Sequence, residues 1–317
     1  MRNKALGQSG GYRKGNRHLL LMCIPAVIWY VLFCYMPMFG IAFAFKKFTP
    51  IPGEGLIRNL FVNSKWCGLE NYSFLIRSSQ MSSILFNTLF YNVIFLVAGI
   101  AVPVVLAVLL TEVYSKGFSG VIQMVLLLPY FLSWVIVGYC LYGFLATDEG
   151  QVNHILSALG HTTLQWYQSP QYWRAILIAT GLWKSIGYSM IIYMCAITAI
   201  DRGLYESAVL DGAGFWARSV HITIPLIRPT IITIFILQIG SILTSDFGLF
   251  YQVPLDSDSL SAVTQTLDVY VYKALMQQAN FSYSAAASFL QSSVGCVLLL
   301  IANFVISKLS TSNRHPL

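Results

Sequence analysis

Hydrophobic positions run along this chain in long unbroken stretches, and the polar positions gather between them. Stretches near Leu19 to Gly40, Ile84 to Leu110, Val121 to Ala146, Ala175 to Ile200, Thr230 to Phe250 and Ala285 to Ser307 each reach the roughly 20 helical residues needed to cross about 30 Å of hydrocarbon. Continuous runs predict helices, whereas a membrane barrel would alternate with period two. The expected fold is all-α: a polytopic membrane protein with six transmembrane helices. Pro25, Pro37, Pro103 and Pro129 lie inside or near the ends of these runs. They predict kinks and not breaks, because neighbouring helices or water satisfy the freed carbonyls.

Composition agrees with a lipid environment. Of 317 residues 56% are hydrophobic and only 10% charged, against roughly 25% charged in a soluble domain, and the mean hydropathy is +0.67. A soluble enzyme is excluded on that ground. The net charge of +7 is spread over short segments and forms no long patch, so nucleic acid is not an expected partner. Five of the six cysteines fall inside apolar runs and Cys67 stands alone, which predicts neither a disulfide framework nor a metal site. The first run is too long for a secretory signal and lacks a small-residue cleavage site, so it reads as a retained helix.

Arg2, Lys4, Arg13, Lys14 and Arg17 precede the first run and bring the Lys and Arg of that side to eleven against seven on the other, so both termini are expected in the cytoplasm, chiefly on the strength of those five. The chain then divides into a basic segment (1–18), the first helix (19–41), an outer loop (42–83), a five-helix core (84–307) containing a cytoplasmic loop (201–229), and a cytoplasmic tail (308–317). A loop of about thirty residues on an inner face of otherwise short turns calls for a function. Within it Asp201 suits an N-cap and Gly212 a position just past a helix end, while Leu204, Tyr205, Ala208 and Val209 recur on one helical face. A short amphipathic helix follows. Between Leu204 and Gly214 there are acids and no base, unlike helices that lie on lipid headgroups, so a protein partner is expected.

Glu206-Ser207-Ala208, three residues, Gly212, nine residues, then Ile222-Thr-Ile224-Pro225 resembles the EAA loop of membrane subunits of binding-protein-dependent ABC importers. Ser207 stands for an alanine and Ile224 for a leucine of that pattern. The resemblance implies the type I importer permease fold in a bacterial cytoplasmic membrane. It implies that the short helix docks on a cytoplasmic ATPase, with Tyr205, Glu206, Ser207, Ala208, Asp211 and Gly212 as coupling residues. Glu206 would pair with the ATPase, Ala208 allow close approach and Gly212 set the turn. Asp211 would either contact the ATPase or hold Arg218, and His221 would be an ordinary interface residue. The implied partners are a second permease, two ATPase subunits that use ATP and Mg²⁺, and an extracellular sugar-binding protein. This chain has no G-x-x-x-x-G-K-[ST] loop, so it is expected to bind no cofactor itself and to be no enzyme.

Leu182-Trp183-Lys184-Ser-Ile-Gly187-Tyr188, the stretch Leu204 to Ala213, and Trp66-Cys-Gly68-Leu69-Glu70-Asn71-Tyr72 resemble the carbohydrate branch of these permeases, closest to the LplB-type subunits for oligosaccharides, often acidic ones. Chemistry points independently to the fourth run. Lys184 falls about ten residues in, roughly 14 Å deep, where a charge costs at least ~2.5 to 3.5 kcal/mol. With Trp183 and Tyr188 it offers a sugar an aromatic face and a strong donor. Asp246, about 6 Å from the outer end of the fifth run, leaves a second reading open, a Lys184–Asp246 ion pair. Gln238 and Ser241 share a helical face with Asp246 and are further candidates, and Asn87, Asn92, Thr244 and Gln291 either line the same route or bind helices together. A permease for a non-sugar solute is the near alternative. An ion-coupled secondary transporter is more remote, since it calls for coupling carboxylates, broken helices or inverted repeats. An intramembrane enzyme would need a His or Cys beside a base, or a metal motif, inside the runs, and neither is found: all five histidines lie outside them.

Overall fold

The computed structural model describes residues 21–77, 79–113 and 116–312; the expected basic segment 1–18 and the end of the tail lie outside the described residues. The long helices are α1 (Leu21–Phe45), α3 (Ser79–Thr111) after the short α2 (Glu70–Arg77), and the bent pair α4 (Gly117–Phe131) and α5 (Trp134–Leu145). The short α6 (Gln151–Ala158) leads to α7 (Pro170–Thr198). Then come α8 (Arg202–Leu210), α9 (Phe215–Gly240), α10 (Leu267–Met276) and α11 (Phe281–Ser312). Among the described residues five helices are long and apolar enough to cross a membrane, and the bent pair, taken as one span, gives a sixth.

Two expectations about the spans are corrected. Pro129 lies at a break and not a kink: α4 tightens into a 3₁₀ turn at Leu128–Phe131, Leu132 and Ser133 are extended, and α5 departs at 99°. Pro129 removes a helical N–H, and Ser133 offers a new start by accepting a hydrogen bond from Val135 N at 3.2 Å. The fifth span is displaced toward the amino terminus, from Thr230–Phe250 to Phe215–Gly240, so the inner loop closes at Gly214 and not at Pro229. A wide π-turn at Ser219–Thr223 absorbs the amide missing at Pro225, and the Thr233 hydroxyl takes up the Pro229 carbonyl at 2.9 Å. The span ends where Gly240 and Gly295 let α9 and α11 touch through backbone, a Cβ on Gly295 colliding with the Gly240 carbonyl.

The core is layered along the helix axes. An outer layer gathers Tyr91 of α3, Val137 of α5, Trp173 and Leu177 of α7, and Leu249 and Phe250 beyond α9. The other, inner layer gathers Val104 to Leu110 of α3, Met190 to Ile197 of α7 and Ile227 of α9, with Leu126 of α4 against it. Because α4 packs on the inner layer and α5 on the outer, the bent pair traverses the bundle. Six crossings put the start of α1 and the end of α11 on one side, the side of α8. The side chains of α1 are almost wholly exposed, Trp29, Tyr30 and Phe33 among them, as suits a helix facing lipid. Its far end is tied down by the motif segment noted above: Asn71 donates to the carbonyls of Ala44 (3.0 Å) and Lys46 (3.2 Å), and a two-residue antiparallel ladder pairs β1 (Lys46–Lys47) with β2 (Lys65–Trp66).

Candidate functional site: a charged cavity and a capped surface helix

Between the two core layers the facing helices turn small and polar, and a cavity of ≈ 300 Å³ opens. On α7 the lining face is Gly181, Lys184, Ser185 and Ser189; α3 contributes Asn92 to Gly99, and the end of α9 contributes Gln238 and Ser241. Gly181 lets α7 pack closely here, since a Cβ there would stand 2.8 Å from the Phe95 ring and 2.9 Å from Leu249 and push those side chains aside. Lys184 lies 14 residues past Pro170, about 21 Å along α7, deeper than the sequence implies because α7 begins earlier.

Lys184 is not paired with Asp246: the ion pairs among the described residues are Arg58–Glu54, Arg218–Glu112 and Lys273–Asp256. Its ammonium donates to the Tyr130 carbonyl at 2.8 Å and lies over the rings of Tyr130 (5.5 Å) and Trp134 (5.1 Å). The acceptor is a carbonyl at the broken end of α4, where helical carbonyls lack partners and the dipole favours a cation. Asp246 is the mirror case. It lies past the end of α9 and accepts from Gly248 N (3.0 Å), Leu249 N (3.4 Å) and Trp134 Nε1 (2.9 Å), at the start of the Gly248–Gln252 turn. Each charge therefore rests on a matching helix end. The non-helical stretch that carries Asp246 is held from both sides: Asn92 donates to the Ile242 carbonyl (2.9 Å), and Gln291 donates to the Leu243 carbonyl (2.9 Å) and to Asp268 (3.0 Å).

Four of the six residues expected at a substrate site, Lys184, Gln238, Ser241 and Asp246, line this cavity. Trp183 does not. One residue along a helix is a rotation of about 100°, and its ring faces an apolar groove with Leu132, Val137 and Phe144. Tyr188 stands one layer back, stacked on Tyr130 with centroids 4.6 Å apart and planes at 9°. Gln238 Oε1 is buried without a hydrogen-bond partner. Of the secondary candidates Asn92 and Thr244 line the cavity, while Asn87 bonds the Ala262 carbonyl at 2.9 Å and Gln291 the Leu243 carbonyl, as structural ties. Tyr130, Trp134, Ser185 and Ser189 were missed. The four-residue spacing of Gly181, Ser185 and Ser189 around Lys184 was a legible signal for the two serines; nothing local marks Trp134, which arrives through the break.

At the inner end α8 is capped as its sequence suggests. Asp201 accepts from Gly203 N at 3.1 Å. Gly212 adopts φ +80°, with Ala213 N bonded to the Ala208 carbonyl (2.9 Å) and Gly212 N to the Val209 carbonyl (3.0 Å), the paired bonds of a Schellman ending. Glu206, Ser207 and Asp211 are exposed, as are Leu204, Val209 and Leu210. Tyr205 faces inward, its hydroxyl 2.9 Å from Thr223 Oγ1 on α9, and Ala208 is half-buried. Arg218 bonds Glu112 at 3.1 Å, which overturns the alternative that Asp211 holds it. His221 bonds the Ala217 carbonyl of its own helix at 3.0 Å.

A charge at the middle of a long apolar helix beside open volume, in a bundle of membrane-spanning length, suits a solute permease. The comparisons agree: residues 99–309 match the binding-protein-dependent transport system inner membrane component, and the chain belongs to that family. It is a membrane-embedded subunit of an ABC importer in the inner membrane, not an enzyme. It is 35% identical to the polygalacturonan/rhamnogalacturonan transport system permease protein YteP of Bacillus subtilis, over 92% of this chain and 88% of that one. It is 33% identical to protein LplB of the same organism, over 93% and 90%. It is also similar to a chain of the crystal structure of a bacterial alginate ABC transporter in complex with alginate pentasaccharide-bound periplasmic protein, with a TM-score of 0.84 and 30% identity over 96% of this chain and 98% of that one.

Proposed function

We propose that this chain is one of two permease subunits of an importer for acidic oligosaccharides, which an extracellular binding protein delivers and two cytoplasmic ATPases move at the expense of ATP and Mg²⁺. The observation that carries the substrate class is Lys184. Its ammonium borders the cavity at mid-bundle and is held by a carbonyl and two aromatic rings, with no carboxylate beside it. A uronate carboxylate completes that environment with a charge-assisted hydrogen bond, and Tyr130 supplies an aromatic surface for the sugar. Polygalacturonan and alginate, the substrates named for two relatives, are both polymers of uronic acids. On the inner side, α8 is the docking element. Glu206 and Asp211 supply exposed acids and Leu204, Val209 and Leu210 an apolar contact, while Tyr205 ties the helix to the bundle and Gly212 ends it. The test is uptake into proteoliposomes holding the assembled transporter with its binding protein, using an oligogalacturonide and its uncharged methyl ester of equal length. The free acid is expected to be taken up preferentially; equal uptake of both, or a preference for the ester, overturns the substrate class.

A further inference from the structure

Trp134 is the first residue of α5, set by the Ser133 cap, and its indole touches both charges of the cavity. Its ring face receives the Lys184 ammonium at 5.1 Å and its Nε1–H is donated to Asp246 Oδ2 at 2.9 Å. The other carboxylate oxygen is occupied by Gly248 N and Leu249 N. Gly248 makes the seat, since a Cβ there would strike the Trp134 ring. Take the indole N–H away and Oδ2 loses its side-chain donor at the edge of a cavity whose cation lies one ring away. Opposite charges this near attract each other, and a lysine stem is long and flexible enough to swing.

We infer that Trp134 is a positioning residue for substrate selection: by holding Asp246 through its N–H and Lys184 on its face, it keeps the two from neutralising each other and leaves the ammonium for a carboxylate of the solute. This rests on the acidic-oligosaccharide reading above, and the experiment separates the two. The measured quantity is the ratio of free-acid to methyl-ester oligogalacturonide uptake by the assembled transporter. The ester serves as an internal control for folding and membrane insertion. The wild-type ratio tests the substrate class, and Lys184→Met tests the premise of this inference: a ratio equal to wild type shows that Lys184 does not select the acid and overturns the inference. If Lys184→Met lowers the ratio, Trp134→Phe, which keeps a ring and loses the N–H, is expected to lower it at least fivefold. Adding Asp246→Asn to Trp134→Phe removes the competing anion and is expected to return the ratio to within twofold of wild type. An unchanged ratio in Trp134→Phe, or a double variant no better than Trp134→Phe alone, overturns the positioning role while leaving the substrate class intact. A merely structural tryptophan would depress both solutes together and would not be rescued by a second substitution.

Discussion

Replacing Lys184 with Met separates what this residue does for the fold from what it does for the solute. In favour of the lysine stand one charge-assisted hydrogen bond to the Tyr130 carbonyl, worth about 1.5 to 3 kcal/mol, and ring contacts to Tyr130 and Trp134, each worth about 0.5 to 1 kcal/mol. Against it stands the cost of a charge at mid-membrane, at least ~2.5 to 3.5 kcal/mol. The two sides cancel to within about 1 to 2 kcal/mol, and methionine fills a similar volume. Thermal unfolding of the detergent-solubilised complex should therefore shift by less than about 8 °C at roughly 2 to 4 °C per kcal/mol. Transport should not be so forgiving. Loss of a charge-assisted bond of about 1.5 to 3 kcal/mol to a substrate carboxylate corresponds to a roughly ten- to hundredfold fall in uptake efficiency for the acidic oligosaccharide. A melting temperature lowered by ten degrees or more, with uptake of free acid and ester reduced alike, would refute the reasoning and make Lys184 a structural strut.

Other substitutions test the remaining parts. Glu206→Lys is expected to leave the protein in the membrane and to abolish solute-stimulated ATP hydrolysis by the assembled transporter; full stimulation would remove α8 as the docking element. Gly212→Val places a β-branched side chain at φ +80°, which should destabilise the end of α8 by more than about 1 kcal/mol and weaken ATPase stimulation, whereas Gly212→Asn, tolerant of that conformation, should retain most of it. Gly187→Ala pushes a Cβ into the Leu126 carbonyl, where α4 lies on α7. Overpacking of this kind costs about 1 to 3 kcal/mol and should lower the melting temperature measurably, while Gly117→Ala, with open space around it, should not.

What could be read from residue order alone follows from how local each cause is. The spans were legible because their hydropathy is a property of each stretch by itself. The limits of α8 were legible because Asp201 and Gly212 act on backbone only two or three residues away. Lys184 and Asp246 stood out as charges in apolar runs. The displacement of α9 was hidden because Pro225 and Pro229 look like loop residues, and only the π-turn at Ser219–Thr223 shows how a helix carries them. The break after Pro129 was hidden for the opposite reason, since the residues on both sides are equally apolar. Trp134 depends on that break and on Gly248, more than a hundred residues on. The Lys184–Asp246 pairing failed because helix ends, absent from a residue list, satisfy each charge separately.

The continuity of α9 carries a mechanical consequence. It runs 26 residues, about 39 Å, from the contacts with α8 and Glu112 to the wall of the cavity at Gln238. Tyr205 and Arg218 clamp its inner end, and its outer end gives way to non-helical backbone. Gripped at one end and released at the other, it is a pushrod: a tilt of only 5° at the clamp sweeps the tip through about 3 Å, comparable with the width of a hydroxyl-bearing carbon. A small stroke at α8 would thus be geared up to a displacement of a few ångströms at the wall of the cavity.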